Sequence, residues 1–245
     1  MLDRGPGRGT VRAVMLDFFG TLARATHAVD IAEVMERRGY AFPAHLRDMW
    51  WSGDLDGLEH AEQSRSREHY VSWQQERLLA MLAEADVHPG EYDVVLAELH
   101  EGRARRVLEA YPEVPGVLRA LRERGLRLVI CSNWDWDLLP AVQEVGLDGL
   151  VDAMVSSAWA GARKPHPRIF EHTLAETGLA AADVLFVGDT WGPDVEGPSA
   201  VGMACAYLER EGHWPDPTAP TDASRSPAPH PVPRVRDLTG ILGLV

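Results

Sequence analysis

The sequence predicts an α/β fold in which a parallel sheet is assembled from both ends of the chain and an all-helical block is inserted after the first strand. Two patterns carry that reading. After residue 110, short apolar runs alternate with amphipathic stretches of helical length, the signature of strand–helix–strand crossovers. Between residues 24 and 108 the pattern is amphipathic and helical, with no convincing strand.

Taken in order, residues 1–10 are rich in Gly and Arg and read as a flexible N-terminus. VRAVML (11–16) is a continuous apolar run, as expected of a strand buried on both faces, and it ends at Asp17. IAEVMERRG and EHAEQSRSREHYVSWQQERLLAMLAEA supply helices of the inserted block. VPGVLRALRERG has Pro near its start and Gly at its end, the asymmetry of a helix. LRLVICS, VDAMVSS, VLFVGD and MACAYL follow as strands, separated by the helices DLLPAVQEVG, PRIFEHTLAETG and DVEGPSAVG. Seven of the 17 prolines fall within 215–233, inside a loop spanning 211–235, and DLTGILGL reads as a short closing helix. The expected organisation is a Rossmann-like core over 11–23 and 109–245 with a helical cap over 24–108.

Composition narrows the partners. The 245 residues are 45% hydrophobic and 25% charged, ordinary for a globular chain and incompatible with wholesale disorder. A net charge of −13 argues against a nucleic-acid backbone as the main partner. No apolar run reaches the roughly 18 residues of a membrane span. The first residues carry no apolar stretch that would act as a signal peptide, so a cytoplasmic protein is expected, a monomer or homodimer acting on a small molecule. Cys131 and Cys205 sit in apolar runs and read as buried free thiols. The 24 basic residues comprise 23 Arg and a single Lys, Lys164. A lone ammonium hints at a place where a compact point charge serves and a planar fork does not.

Open parallel sheets bind ligands at the carboxyl ends of their strands. Here those ends supply Asp17-Phe18-Phe19-Gly20-Thr21, then Ser132-Asn133, then Lys164 ahead of a helix, then Gly188-Asp189-Thr190 with Asp194 nearby. Three carboxylates, a hydroxyl and an ammonium suit phosphoryl transfer, where catalysis is mostly positioning and charge neutralisation. Mg²⁺ with oxygen ligands would neutralise part of the charge, Lys164 and Ser132 would supply a point charge and a donor, and one carboxylate would remain as nucleophile.

DFFGTL (17–22), ICSN (130–133), Lys164 within RKPHPRIF and VGDTWGPDVEG (187–197) resemble, in order and approximate spacing, the four motifs of the haloacid dehalogenase superfamily. The resemblance implies Asp17 as nucleophile and metal ligand, with the Phe19 carbonyl also on the metal. Thr21 would order the motif loop. Thr21, Ser132, Asn133 and Lys164 would surround the substrate, and Asp189 and Asp194 would hold Mg²⁺. It further implies a hydrolase, most readily a phosphatase of small phosphorylated metabolites working through an aspartyl-phosphate.

One position departs from the pattern. Phosphatases of this superfamily usually carry a second Asp two residues after the nucleophile, to protonate the leaving oxygen; this chain has Phe19 there. Losing a general acid typically costs 10²–10⁴-fold, and rates should then rise steeply with the acidity of the leaving group. The substrate would have a good leaving group, or a cap residue such as His27 or His60 would act as the acid, or the reaction would be the family's metal-independent 2-haloacid dehalogenation. In that last case Arg47 would help bind halide and Asp189 would have no task. A catalytically weak phosphometabolite-binding protein is the remaining alternative. Trp134, Trp136, Trp159 and Trp191 fall near strand ends, as packing residues or as the lining of an apolar substrate pocket.

Overall fold

The computed structural model describes residues 11–27, 30–43, 45–46, 55–211, 218–220 and 232–245. The expected N-terminal flexible segment, Arg47 and most of the Pro-rich loop lie outside them. Strands β1 (Ala13–Leu16), β4 (Arg127–Ser132), β5 (Ala153–Ser156), β6 (Val184–Gly188), β7 (Ala204–Leu208) and β8 (Arg234–Val235) form one parallel sheet in the order β5-β4-β1-β6-β7-β8. The five longer strands are those read from the sequence, whereas β8 lies in the stretch expected to be loop. The register sets Leu16 between Ile130 and Val187, so the carboxyl ends of the three central strands are level.

Both faces of the sheet are covered, which is why its strands read as unbroken apolar runs. Val14, Leu16, Leu128, Ile130, Leu185 and Val187 point to one cluster; Ala13, Met15, Val129, Cys131, Val184 and Phe186 point to the other. Cys131 and Cys205 are free and buried, as expected. Among the flanking helices, α4 (Val114–Glu123) buries Val114, Val117, Leu118 and Leu121, an i, i+3, i+4, i+7 stripe. Helix α7 (Pro167–Thr177) starts at the His166 cap with Pro167 in its first turn and ends at Gly178 in the left-handed conformation. Helices α5 (Leu138–Glu144), α6 (Ser157–Ala160) and α8 (Gly197–Ala200) complete the crossovers. The closing DLTGILGL segment forms a 3₁₀ helix, Leu238–Gly243.

The inserted region departs from the sequence reading at its ends. Strands β2 (Ala23–His27) and β3 (Val107–Ala110) pair antiparallel and carry the chain out of the core and back. Between them all described helices, α1 (Ile31–Arg37), α2 (Arg67–Glu84) and α3 (Tyr92–Ala104), pack around their own apolar cluster of Val34, Met35, Leu78, Leu82 and Val95. The long amphipathic stretch from residue 59 becomes α-helical only at Arg67, because the Ser66 side chain accepts from the His69 N–H and caps the helix there. Before that cap, residues 57–60 lace onto 161–164: Gly57 N–H donates to the Lys164 carbonyl at 3.2 Å, Arg163 N–H to Leu58 at 3.0 Å and His60 N–H to Gly161 at 2.7 Å. Among the described residues no helix is long and apolar enough to cross a membrane.

Candidate active site

The four strand-end segments meet where β1 is flanked by β4 on one side and β6 on the other, the point at which strand order reverses and open α/β sheets place their ligands. Asp17 follows β1 directly, and its N–H donates to the Val187 carbonyl at 2.9 Å. Ser132, the last residue of β4, donates from Oγ to Asp17 Oδ1 at 2.9 Å. Lys164 Nζ donates to that same oxygen at 2.7 Å and to Asp194 Oδ1 at 2.6 Å. Asp194 sits in a π turn, Gly192–Glu196, where its Oδ2 accepts from the Thr190 N–H at 2.9 Å. Asp189 accepts from Thr21 Oγ1 at 3.1 Å.

Two glycines let the carboxylates come this close to the backbone. A Cβ on Gly20, whose φ is +87°, would stand 2.1 Å from Asp189 Oδ2, and one on Gly188 would stand 2.3 Å from the Asp194 carboxyl. Arg210, just beyond β7, donates to the carbonyls of Gly20 at 3.1 Å and Thr21 at 2.7 Å, and is itself anchored on Glu113 at 2.7 Å. Nothing in the sequence pattern marked Arg210. Asn133 lines the site, but its side chain is engaged in the wall: Oδ1 accepts from the Lys164 N–H at 2.7 Å, and Nδ2 donates to the Lys164 carbonyl at 3.0 Å and to Asp56 at 3.1 Å.

Burial dominates the electrostatics. It raises the Asp17 carboxyl above the usual range; Lys164 pulls the other way, and Asp189 adds to the rise by repulsion. Burial likewise pushes Asp194 up to about 7 against the pull of Lys164. Lys164, only 1% exposed, loses hydration, yet Asp17 and Asp194 outweigh that loss and hold it firmly protonated. Oxygens of Asp17, Asp189 and Asp194 lie within 4.8 Å of one another, and the Lys164 ammonium pairs with Asp17 and Asp194. An excess of negative oxygen donors at this spacing fits a hard divalent cation.

A cavity of about 460 Å³ opens over these groups. One wall is the strand ends, with Asp17, Phe19, Ser132, Lys164, Asp189 and Asp194. Phe19, 39% exposed, offers its ring to the cavity beside Trp134 at 6.2 Å. The opposite wall comes from the inserted region: Leu55, Asp56, Gln74, Arg77, Arg103 and Arg106, with Asp135 and Arg163 at the seam. Asp135 holds the seam, accepting from Tyr70 Oη at 2.7 Å and Gln74 Nε2 at 2.9 Å and pairing with Arg103. Of the four tryptophans flagged by the sequence, Trp134 lines the cavity; Trp191 is buried against Tyr207, and Trp159 Nε1 donates to the Trp136 carbonyl. His27 is exposed at the end of β2 and His60 is buried beside Trp73, and neither lines the cavity.

A family profile described as haloacid dehalogenase-like hydrolase matches residues 11–202. The chain belongs to the haloacid dehalogenase-like hydrolases. This hydrolase is 29% identical over 210 residues to haloacetate dehalogenase H-2 of Moraxella sp. (strain B), covering 82% of this chain and 87% of that one. It is 32% identical over 121 residues to the phosphoserine phosphatase of Thermus thermophilus, an alignment that spans 49% of each chain. A solved structure of a predicted phosphoglycolate phosphatase from Haemophilus somnus 129pt shares the fold of the hydrolase with a TM-score of 0.65 and 22% identity, covering 97% of this chain and 99% of that one. Dehalogenases and phosphatases therefore both stand among its relatives.

Proposed function

We propose that this hydrolase cleaves small phosphorylated metabolites, in the cytoplasm, through an aspartyl-phosphate on Asp17 and with Mg²⁺ as cofactor. The observation that carries the reading is the convergence of Asp189 and Asp194 on Asp17, with one ammonium to pair with Asp17 and Asp194. Without a cation two of these carboxylates repel the nucleophile to no purpose. Asp17, Asp189, Asp194 and the Phe19 carbonyl are the groups that would hold Mg²⁺, which when bound would neutralise charge on the phosphoryl oxygens. The Asp17 carboxylate then attacks phosphorus, Ser132 Oγ donates a hydrogen bond to a phosphoryl oxygen, and Lys164 Nζ supplies positive charge beside it. In this reading the helices between residues 24 and 108 act as a cap over the core of 11–23 and 109–245, admitting substrate and then excluding water.

A metal-independent 2-haloacid dehalogenase is the second reading, favoured by the length of the match to the haloacetate enzyme and by the aromatic Phe19. The test is release of para-nitrophenol from para-nitrophenyl phosphate with Mg²⁺ and with EDTA, on the wild type and on Asp17→Asn. The phosphatase reading expects release that EDTA abolishes and a loss on the order of 10⁴-fold or more in Asp17→Asn. Halide release from 2-haloacids in EDTA, with no phosphatase activity, overturns it in favour of the dehalogenase.

A further inference from the structure

Two carboxyls of the cavity, Asp56 and Asp135, lie outside the four motifs, and Asp135 is taken up by Arg103, Tyr70 and Gln74. Asp56 lines the same space as Asp17, Phe19 and Lys164, although it comes from the inserted region. Its position is fixed: the residues that follow it are laced to 161–164, so Asp56 stands beside the Lys164 loop. Asp56 Oδ1 accepts from Asn133 Nδ2 at 3.1 Å and lies 3.9 Å from Arg163 Nη2. Neither contact engages Oδ2, which leaves that oxygen to carry a proton. We propose that Asp56 is the general acid of this site, donating to the leaving oxygen the proton that Phe19 cannot supply. The proposal rests on the phosphohydrolase reading above.

The competing donors are eliminated by placement. His27 and His60 do not line the cavity. Asp135 does line it, but Arg103, Tyr70 and Gln74 bind it, and despite its burial Arg103 holds it below the usual carboxylate range, so it stays ionised. Asp56 behaves oppositely. Partial burial of its side chain, which keeps 27% of its surface accessible, pushes it up to about 6, against the pull of Arg163 and Lys164, into the range where a carboxyl donates protons near neutrality. The charged groups facing it are Arg163 and Lys164 from the loop before α7 and Asp17 from the end of β1, with the polar Asn133 from the end of β4.

The chemistry balances. In the first step an Asp17 oxygen bonds to phosphorus, the ester P–O bond breaks with its electron pair on the leaving oxygen, and Asp56 protonates that oxygen to release the alcohol. In the second, water attacks the acyl-phosphate phosphorus and gives a proton to the Asp56 carboxylate. The bond from phosphorus to Asp17 breaks, returning both carboxyl groups to their starting states and releasing phosphate.

The experiment compares wild type and Asp56→Asn on phosphate monoesters of graded leaving-group acidity, from para-nitrophenyl phosphate to an alkyl phosphate such as glycerol 2-phosphate. The wild type is expected to depend only weakly on the leaving group. Asp56→Asn should lose on the order of 10²–10⁴-fold on the alkyl ester and less than about tenfold on the activated one. It should also lose the basic limb of the kcat/KM pH profile, because the donor must be protonated and rates fall as pH rises past about 6. Asp56→Glu, which keeps a proton donor, should retain more alkyl-ester activity than Asp56→Asn and serves if the amide variant folds poorly. Equal losses on both esters, or an unchanged pH profile, overturn the role of Asp56 alone. Wild-type silence on every phosphate ester overturns the phosphatase reading and this one together.

Discussion

The two walls of the cavity are held by different kinds of interaction. On the strand-end wall, direct bonds between buried groups join Asp17 to Ser132 and Lys164, and Lys164 to Asp194, across separations of 115, 147 and 30 positions. Asp17 and Ser132 stand at the ends of β1 and β4, whose register the sheet fixes, while Lys164 comes from the loop before α7 and Asp194 from the turn after β6. On the inserted wall the side chains are longer: Arg103 on α3 pairs with Asp135, Arg106, just after α3, covers the Trp134 ring at 4.7 Å, and Arg77 on α2 covers Trp73 at 5.2 Å. The first wall is a set of buried groups bonded directly to one another. The second is a set of exposed or half-buried cations on flexible stems, suited to recognising one substrate among many.

The sharpest way to break that contrast is at the buried ammonium. Lys164→Met leaves the buried Asp17 and Asp194 carboxylates without their cation. It is expected to cost about 3–5 kcal/mol at pH 8, read by urea unfolding. The cost should shrink at pH 5, where protons take the place of the ammonium. If Lys164→Met folds with wild-type stability at both pH values, the strand-end wall is not the tightly coupled unit described here.

A smaller effect tests the seam between the walls. His60 lies against Trp73 at 5.0 Å and hydrogen-bonds Ser64 at 2.9 Å, and burial, aided by Arg163, pushes its pKa down to about 4. The unfolded chain takes up this proton near the ordinary value of 6.5 and the folded chain only near 4. The stability His60 contributes is therefore present above 6.5 and is lost as pH falls toward 4. Between pH 7 and 5 the wild type should lose on the order of 1–2 kcal/mol more than His60→Gln does, by urea unfolding. Identical pH dependence in the two proteins would mean that protonated His60 is tolerated and the seam is open to water.

The same contrast explains what was legible in the sequence. The core strands and the four strand-end segments could be read because burial on both faces produces unbroken apolar runs, and a parallel sheet brings their polar ends to one edge without further information. Lys164 stood out because it is the only lysine. The inserted wall could not be read that way. Which faces of α2 and α3 meet the cavity depends on how they pack around their own cluster, and with 23 arginines in the chain Arg77, Arg103, Arg106, Arg163 and Arg210 carried no signal by type. Strand β2 escaped notice because four of its five residues (Arg24–His27) are exposed or half-buried, so neither an apolar run nor a clean alternation marks it. Asp56 looked like one more acid in an acidic block until residues 57–60 were seen paired with 161–164.

The smallest expected effect refines the contrast instead of breaking it. Arg106 is half-buried, its guanidinium lies over Trp134, and burial together with the neighbouring Arg103 holds its pKa below the usual arginine range. A cation destabilised by its surroundings gains when an anionic ligand arrives. Arg106→Met keeps the stem against the ring and removes the charge. On a phosphorylated substrate KM is expected to rise about three- to tenfold, equivalent to about 0.7–1.4 kcal/mol, with kcat within about twofold of wild type. That split assigns Arg106 to recognition that is equal in ground state and transition state. A fall in kcat at constant KM would instead make Arg106 part of the chemistry, and the division of labour between the two walls would have to be redrawn.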